Sequence, residues 1–195
     1  MKKILFTIIA MIILLSIFAY YNNSNHQIII NQLIKKSNIK SGNLIYRVNL
    51  FGIIPVAEAI FKIEQIEKYN EQQVYHLNAS ASPLRLCSNL FKGYTVLDSY
   101  VNTATFNPIL FKQKIVIPDK GVMDKEVFYD QQKGIMTIAG VRRSILPNTQ
   151  DPLSLIFNLR HMDFDNMKDL EMNINTNQKN YIFQGIVNQK DILIN

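Results

Sequence analysis

The amino-acid sequence predicts a mainly β fold of the α+β class. The expected form is a curved antiparallel sheet or half-open β-barrel with two short covering helices, preceded by an N-terminal apolar helix. From residue 43 onwards, apolar and polar residues alternate along several segments, which is the period of a strand with one buried face. The connections between these segments are too short for crossover helices, so neighbouring strands are expected to run antiparallel. We therefore expect one antiparallel β domain over residues 42–195.

The N-terminal segment, residues 1–24, predicts export. Lys2 and Lys3 precede an apolar run from Ile4 to Tyr21, and basic residues in that position stay on the cytoplasmic side. The run is close to the length of about 20 residues that spans a membrane, and its end lacks a small-x-small cleavage site. A signal anchor is favoured, with a cleaved signal peptide as the alternative. The expected location is a periplasmic domain anchored in the inner membrane, or a soluble periplasmic domain after cleavage.

The net charge bears on the expected partners, and the cysteine content bears on the expected crosslinks. The formal net charge is +6, and two of these charges belong to Lys2 and Lys3. The other basic residues are scattered, so no nucleic-acid partner is expected. The single cysteine, Cys87, excludes an internal disulfide. Residues 25–41 are expected to form a stalk or linker, and three of its lysines favour contact with anionic membrane headgroups: Lys35, Lys36 and Lys40.

Nine segments carry the strand pattern. In the second of them, Ala57, Ala59 and Phe61 share one face. Glu58 and Lys62 point to the opposite face, which is expected to be solvated. The last two segments form a hairpin. The predicted strands are residues 43–50, 56–69, 74–81, 94–103, 109–117, 126–130, 135–141, 169–176 and 181–187.

Two segments carry a helical pattern. Residues 83–91 predict a short amphipathic helix that lies on the sheet. The second helix has a strong start, because Asp151 can accept hydrogen bonds from free backbone amides and Pro152 suits the first helical position. Arg160 ends it, where a positive charge interacts well with the helix dipole. A binding role for Arg160 stays the alternative. The apolar side of this helix, which is expected to cover the sheet, consists of Leu153, Ile156 and Phe157.

Four short stretches of sequence lie within or between these predicted strands and helices. They are Phe51–Ala59 (FGIIPVAEA), Val96–Val101 (VLDSYV), Phe128–Gln131 (FYDQ) with Gly134, and Gln150–Ser154 (QDPLS) with Leu159–Arg160. Together they resemble the exported bacterial proteins of the family known as domain of unknown function 3108. The resemblance covers about Gly42 to Val187, and the QDPLS stretch is its most specific part.

The resemblance implies an envelope-associated, mostly antiparallel β domain without an established activity. By fold analogy alone, such a domain is similar to the curved, half-open sheets of periplasmic lipoprotein carriers. The chain departs from the family pattern at two places. Ala57 stands where a glycine is usual before the glutamate, and the sequence stops at Asn195, where relatives tend to continue with further strand. The second departure puts closure of a barrel in doubt.

We interpret the motif residues as structural. Gly52 and Pro55 are expected to shape the turn between the first two strands. Asp98 and Tyr100 share a strand face and can bond to a neighbouring strand. Asp130 is expected to cap the turn that follows it. The full set of motif residues is Gly52, Pro55, Glu58, Asp98, Tyr100, Asp130, Gln150, Asp151, Pro152, Ser154 and Arg160.

No pattern in the sequence predicts a catalytic or metal site. Ser154 lacks the flanking glycines of a nucleophile elbow, and the three histidines stand apart without metal-ligand spacing. We therefore expect no enzymatic activity, no cofactor and no metal. Two hypotheses remain. The first is a periplasmic binding module for an apolar ligand, such as a lipid or acyl chain, held at the membrane by the N-terminal helix. The alternative is an envelope scaffold that docks another envelope protein without a small-molecule ligand.

Overall fold

The computed structural model describes residues 42–50, 54–85, 93–118, 120–164 and 167–186. The predicted anchor and stalk, Gly52 and most of the first predicted helix lie outside the described residues. Pro83, expected to start that helix, is instead the last residue of a strand. In the described ranges, no helix combines the length and the apolar character needed to cross a membrane.

The described residues form one large sheet, one small sheet and one helix. The large sheet has eight strands in chain order, every neighbouring pair is antiparallel, and its first and last strands do not pair with each other. The mainly β, antiparallel prediction is therefore confirmed, and the sheet is not closed. Its strands are β1 (Gly42–Leu50), β2 (Ile54–Tyr69), β3 (Gln72–Pro83), β4 (Tyr94–Asn102), β5 (Pro108–Ile117), β6 (Gly121–Asp130), β7 (Ile135–Ile138) and β8 (Val141–Ser144).

The rest of the described chain packs on one face of this sheet. Helix α1 (Pro152–His161) contacts β3, β4 and the first strand of a hairpin. The hairpin consists of β9 (Asp169–Thr176) and β10 (Lys179–Ile186) and forms the second sheet. We call the covered side of the large sheet the inner face and the opposite side the outer face.

One predicted strand was wrong. The segment 135–141 is not a single strand but most of a hairpin, in which Ala139 and Gly140 form a two-residue turn between β7 and β8. Both turn residues have positive φ, 47° and 78°. Two-residue turns in which both residues have positive φ match the right-handed twist of the two strands that they join. Alanine rarely adopts this conformation, so the turn has a weak signature in the sequence.

Strand β6 also begins earlier than expected, at Gly121 instead of residue 126. Its first half is exposed on both faces, including Val122 and Met123. Alternation of apolar and polar residues arises when one face is buried, so this half lacks the pattern.

The hydrophobic core lies between the inner face on one side and α1 and β9 on the other, and β9 contributes Leu170, Met172 and Ile174. The Phe157 side chain is fully buried, and its ring centroid is 5.3 Å from that of Tyr75 and 6.4 Å from that of Phe106. Leu153 is buried as predicted, whereas Ile156 is 36 % exposed. The expected apolar side of the helix was therefore wrong at Ile156. The buried face is centred instead on Ser154, Phe157, Asn158 and His161, which have the spacing i, i+3, i+4 and i+7, and Ile156 lies on the other side of the helix.

Candidate functional site

The helix start at Asp151 is confirmed as a capping box. Asp151 Oδ1 accepts hydrogen bonds from the backbone amides of Leu153 (2.7 Å) and Ser154 (2.9 Å). In return, Ser154 Oγ accepts one from the Asp151 amide at 2.9 Å, and Pro152 occupies the first helical turn. Two otherwise unpaired donors at the helix start are satisfied reciprocally.

The second carboxylate oxygen of Asp151 ties the helix to the sheet. Asp151 Oδ2 accepts a hydrogen bond from Ser99 Oγ on β4 at 2.5 Å, and both residues are fully buried. Burial raises the pKa of Asp151 to about 6, although the bonds from Ser99, Ser154 and Leu153 favour the charged form. Burial, with a smaller contribution from the Asp151 charge, also raises the pKa of Tyr129 well above its ordinary value.

Gln150 joins the helix to the hairpin and to the loop before β5. Its backbone pairs with β9, donating to the Asn173 carbonyl (2.7 Å) and accepting from the Asn175 amide (2.8 Å). Its side chain donates to Asn107 Oδ1 at 2.9 Å and accepts from Asn158 Nδ2 at 2.8 Å. The QDPLS stretch is therefore a buried polar junction between the helix, the hairpin and the loop before β5.

The outer face carries a polar and aromatic cluster around Asp98. The Asp98 Oδ1 atom lies 2.9 Å from His76 Nε2 and accepts a hydrogen bond from Asn78 Nδ2 at 2.8 Å. The His76 ring stacks on the Tyr100 ring, with centroids 4.5 Å apart and planes 7° from parallel. The prediction of a bond to a neighbouring strand is confirmed for Asp98, whereas Tyr100 contacts β3 through the stacked ring of His76.

The pKa shifts at this cluster favour the charged forms of His76 and Asp98. The hydrogen bond to Asp98 is the main cause that raises the pKa of His76, and Glu67 adds to it from 3.7 Å. At Asp98, burial alone would raise the pKa, but the bonds from His76 and Asn78 outweigh it and the pKa is lowered. Sequence reasoning missed His76. The only signal was its position opposite Tyr100, which depends on the β3–β4 register.

The other motif residues do not converge on one site. Asp130 accepts bonds from the Lys133 amide (3.0 Å) and from Lys133 Nζ (2.8 Å), so its predicted turn cap is confirmed. Arg160 is exposed in the last turn of α1. Glu58 is half-buried on the outer face of β2, opposite Arg47. Pro55 lies in β2, next to a register shift in the β1–β2 pairing.

The inner face continues beyond the part that α1 covers. Two rows of side chains cross it from β1 to β6, and Phe61 alone among them is fully buried. We call these two rows the open half. The first row is Leu44, Phe61, Ala79, Leu97, Gln113 and Lys125, and the second is Tyr46, Ala59, Ala81, Thr95, Ile115 and Met123.

Small side chains form the floor of the open half on β2 and β3. Ala59 and Ala81 are direct cross-strand partners, and Ala79 lies opposite Phe61. Each of these alanines is half-buried. Larger side chains flank this alanine floor, with Tyr46 on β1 (51 % exposed) and Leu97 on β4. Because a methyl group rises little above a sheet, these three positions lie lower than the larger side chains around them, Tyr46, Phe61 and Leu97.

The described ranges contain no group of three or more side chains suited to hold a metal ion. Fold and site together define a small antiparallel β-sheet protein with a half-exposed apolar surface beside its core. The chain belongs to the family described as protein of unknown function (DUF3108), whose model matches residues 45–193. This finding confirms the resemblance seen in the sequence. A search of curated proteins and a search of solved structures gave no match.

Proposed function

We propose that this chain is a cell-envelope binding module for an apolar ligand, a lipid or an acyl chain, which lies on the alanine floor of the open half. The observation that carries this proposal is the floor itself. Strands β2 and β3 present three alanines on the inner face, Ala59, Ala79 and Ala81, and all three are half-buried. A low apolar surface with taller side chains on both sides suits a long, flexible, apolar chain.

The energetics are compatible with specific binding. Covering a few hundred Å² of apolar surface stabilises a complex by several kcal/mol at about 25 cal/mol per Å². The loss of ligand freedom on binding offsets part of this gain. The part of the sheet under α1 is not available for the same purpose, since Phe157 is fully buried there against Tyr75 and Phe106.

The N-terminal segment supports a location in the envelope. Its two lysines and the apolar run up to Tyr21 favour a periplasmic domain held at the inner membrane. A reporter fused after Asn195 is then active only outside the cytoplasm, and the protein stays in membranes after carbonate washing. Trimmed protein in the soluble fraction would contradict the anchor.

Photolabelling of the full-length chain in lipid nanodiscs tests the proposed site. We expect a photoreactive hexadecanoic acid to label residues of the open half, as mapped by mass spectrometry of peptides. Ala81→Phe fills the floor and is expected to abolish this labelling. Ser82→Phe is the matched control, because Ser82 is the next residue of β3 and is exposed on the outer face. Equal labelling of Ala81→Phe and parent would contradict the proposal.

One observation favours the alternative of a protein-interaction scaffold. Strand β1 is nine residues long, its second edge pairs with no described strand, and Ile45 on it is 63 % exposed. Such an edge can accept a strand from another protein. If this is the function, Ile45→Lys abolishes crosslinking to an envelope protein in cells, whereas Ala81→Phe leaves that crosslinking intact.

A further inference from the structure

One basic residue lies on the inner face among the apolar rows. Lys125 on β6 is the partner of Gln113 on β5, and Gln113 is the partner of Leu97 on β4. Lys125 therefore stands at the β6 end of the row that crosses the alanine floor. The residues on either side of it, Asp124 and Glu126, point to the outer face.

Lys125 differs from Lys112, a lysine on the neighbouring strand, in its lack of an acidic partner. Lys112 on the outer face has an acidic partner, Glu126 Oε1 at 3.0 Å from its Nζ. Lys125 is half-buried and forms no ion pair with any residue that the structure describes. Burial lowers its pKa, and no described acidic group opposes this shift. A half-buried cation without a countercharge is an energetic cost that an anionic ligand would remove.

We infer that the ligand is an amphiphile with an anionic head group, a carboxylate or a phosphate. The head group binds Lys125 Nζ beside the Gln113 amide, and the apolar chain extends along the row over Leu97 to the alanine floor. This inference rests on the proposed function and adds the chemistry of the head group to it. The direction of the ligand's apolar chain follows from the register, because the row runs from β6 to β3. This path crosses three strand spacings of about 4.8 Å each, a length of roughly 14 Å.

Head-group selectivity is measurable with three probes of the same chain length. Photoreactive hexadecanoic acid, hexadecyl phosphate and hexadecanol are compared on the full-length chain in nanodiscs, with labelling of the open half as the readout. We expect at least one of the two anionic probes to bind about tenfold more tightly than the alcohol, as for a hydrogen bond to a charged group. The difference between carboxylate and phosphate identifies the head group.

Substitutions of Lys125 test the assignment. In Lys125→Gln, the anionic probes and the alcohol are expected to bind about equally tightly. Lys125→Arg is expected to retain the preference for the anion, because the charge remains. Lys114→Gln is the matched control on the neighbouring strand, since Lys114 is exposed on the outer face, and it is expected to match the parent.

The outcomes separate this inference from the proposed function. If all three probes label the open half equally, or if Lys125→Gln keeps the preference, the inference is overturned and the proposed function stands. If no probe labels the open half of the parent, both are overturned.

Discussion

The part of the inner face under α1, which we call the covered half, differs from the open half most clearly along β3. Under α1, β3 and β4 carry Leu77 and Val101, both fully buried. Two positions of the alanine floor, Ala79 and Ala81, follow Leu77 on the same face of β3 and are half-buried. On this strand a large apolar residue lies under the helix, and small residues lie beside it. The comparison leads to the expectation that truncating a side chain under α1 costs more stability than changing the alanine floor.

The largest expected effect is on the covered half. Phe157→Ala should destabilise the protein by about 3–5 kcal/mol, because it removes a packed aromatic and leaves a cavity. Ile156→Ala, one residue earlier on the exposed side of α1, should change stability far less. Urea unfolding measures both. A loss below about 1 kcal/mol for Phe157→Ala would show that the covered half is loosely filled, and would remove the distinction between the halves.

A pH effect should follow from the same half. The pKa of Asp151 is raised from 3.8 to about 6 in the folded protein. A raised folded-state pKa means that this group contributes most stability below its ordinary pKa and that the contribution is lost as the pH rises through about 6. The loss is on the order of 3 kcal/mol. Asp151→Asn should flatten the stability profile between pH 4 and pH 7. If stability changes with pH as steeply in Asp151→Asn as in the parent, the pH dependence arises from another group.

Truncation of the Asp151 side chain should have a smaller but measurable effect on stability. Asp151→Ala leaves the Ser99 hydroxyl and the amides of Leu153 and Ser154 without their acceptor in a buried place. We expect a loss of about 1–3 kcal/mol. Asp151→Asn should retain most of the stability, since its amide oxygen can accept the two backbone bonds. Asp151→Ser keeps the cap but does not reach Ser99, so it should fall between them. Melting temperatures order the three variants, and equal values would contradict the junction.

The smallest expected effect lies on the outer face, away from both halves. His76→Gln should reduce stability by about 1 kcal/mol or less at pH 6, because the pair is partly exposed. Asp98 raises the pKa of His76, so the contribution of the pair is present below the ordinary value of 6.5 and is lost as the pH rises through the higher folded value. The variant and the parent should therefore be equally stable near pH 9. A difference at pH 9 as large as at pH 6 would assign the effect to ring stacking on Tyr100.

Much of the fold could be predicted because its signals are local. The cap at Asp151 depends on residues within three positions, and the alternation around Phe61 is visible along one strand. The hairpin at Ala139 was missed since an alanine in a left-handed turn has no compositional mark.

The candidate site was less predictable because it depends on register between strands. Lys125 lies in a stretch without alternation, and only its pairing with Gln113 places it on the inner face. The alanines were visible in the sequence as one face of β2, but which part of that face the helix leaves uncovered depends on where α1 packs.

Native mass spectrometry of the full-length chain released from nanodiscs tests the central claim most directly, namely that the open half holds a ligand while the covered half is core. We expect one lipid or acyl chain retained per protein in the parent and in Ser82→Phe, and none in Ala81→Phe. Retention of the same ligand by all three proteins, or by none of them, would contradict the claim.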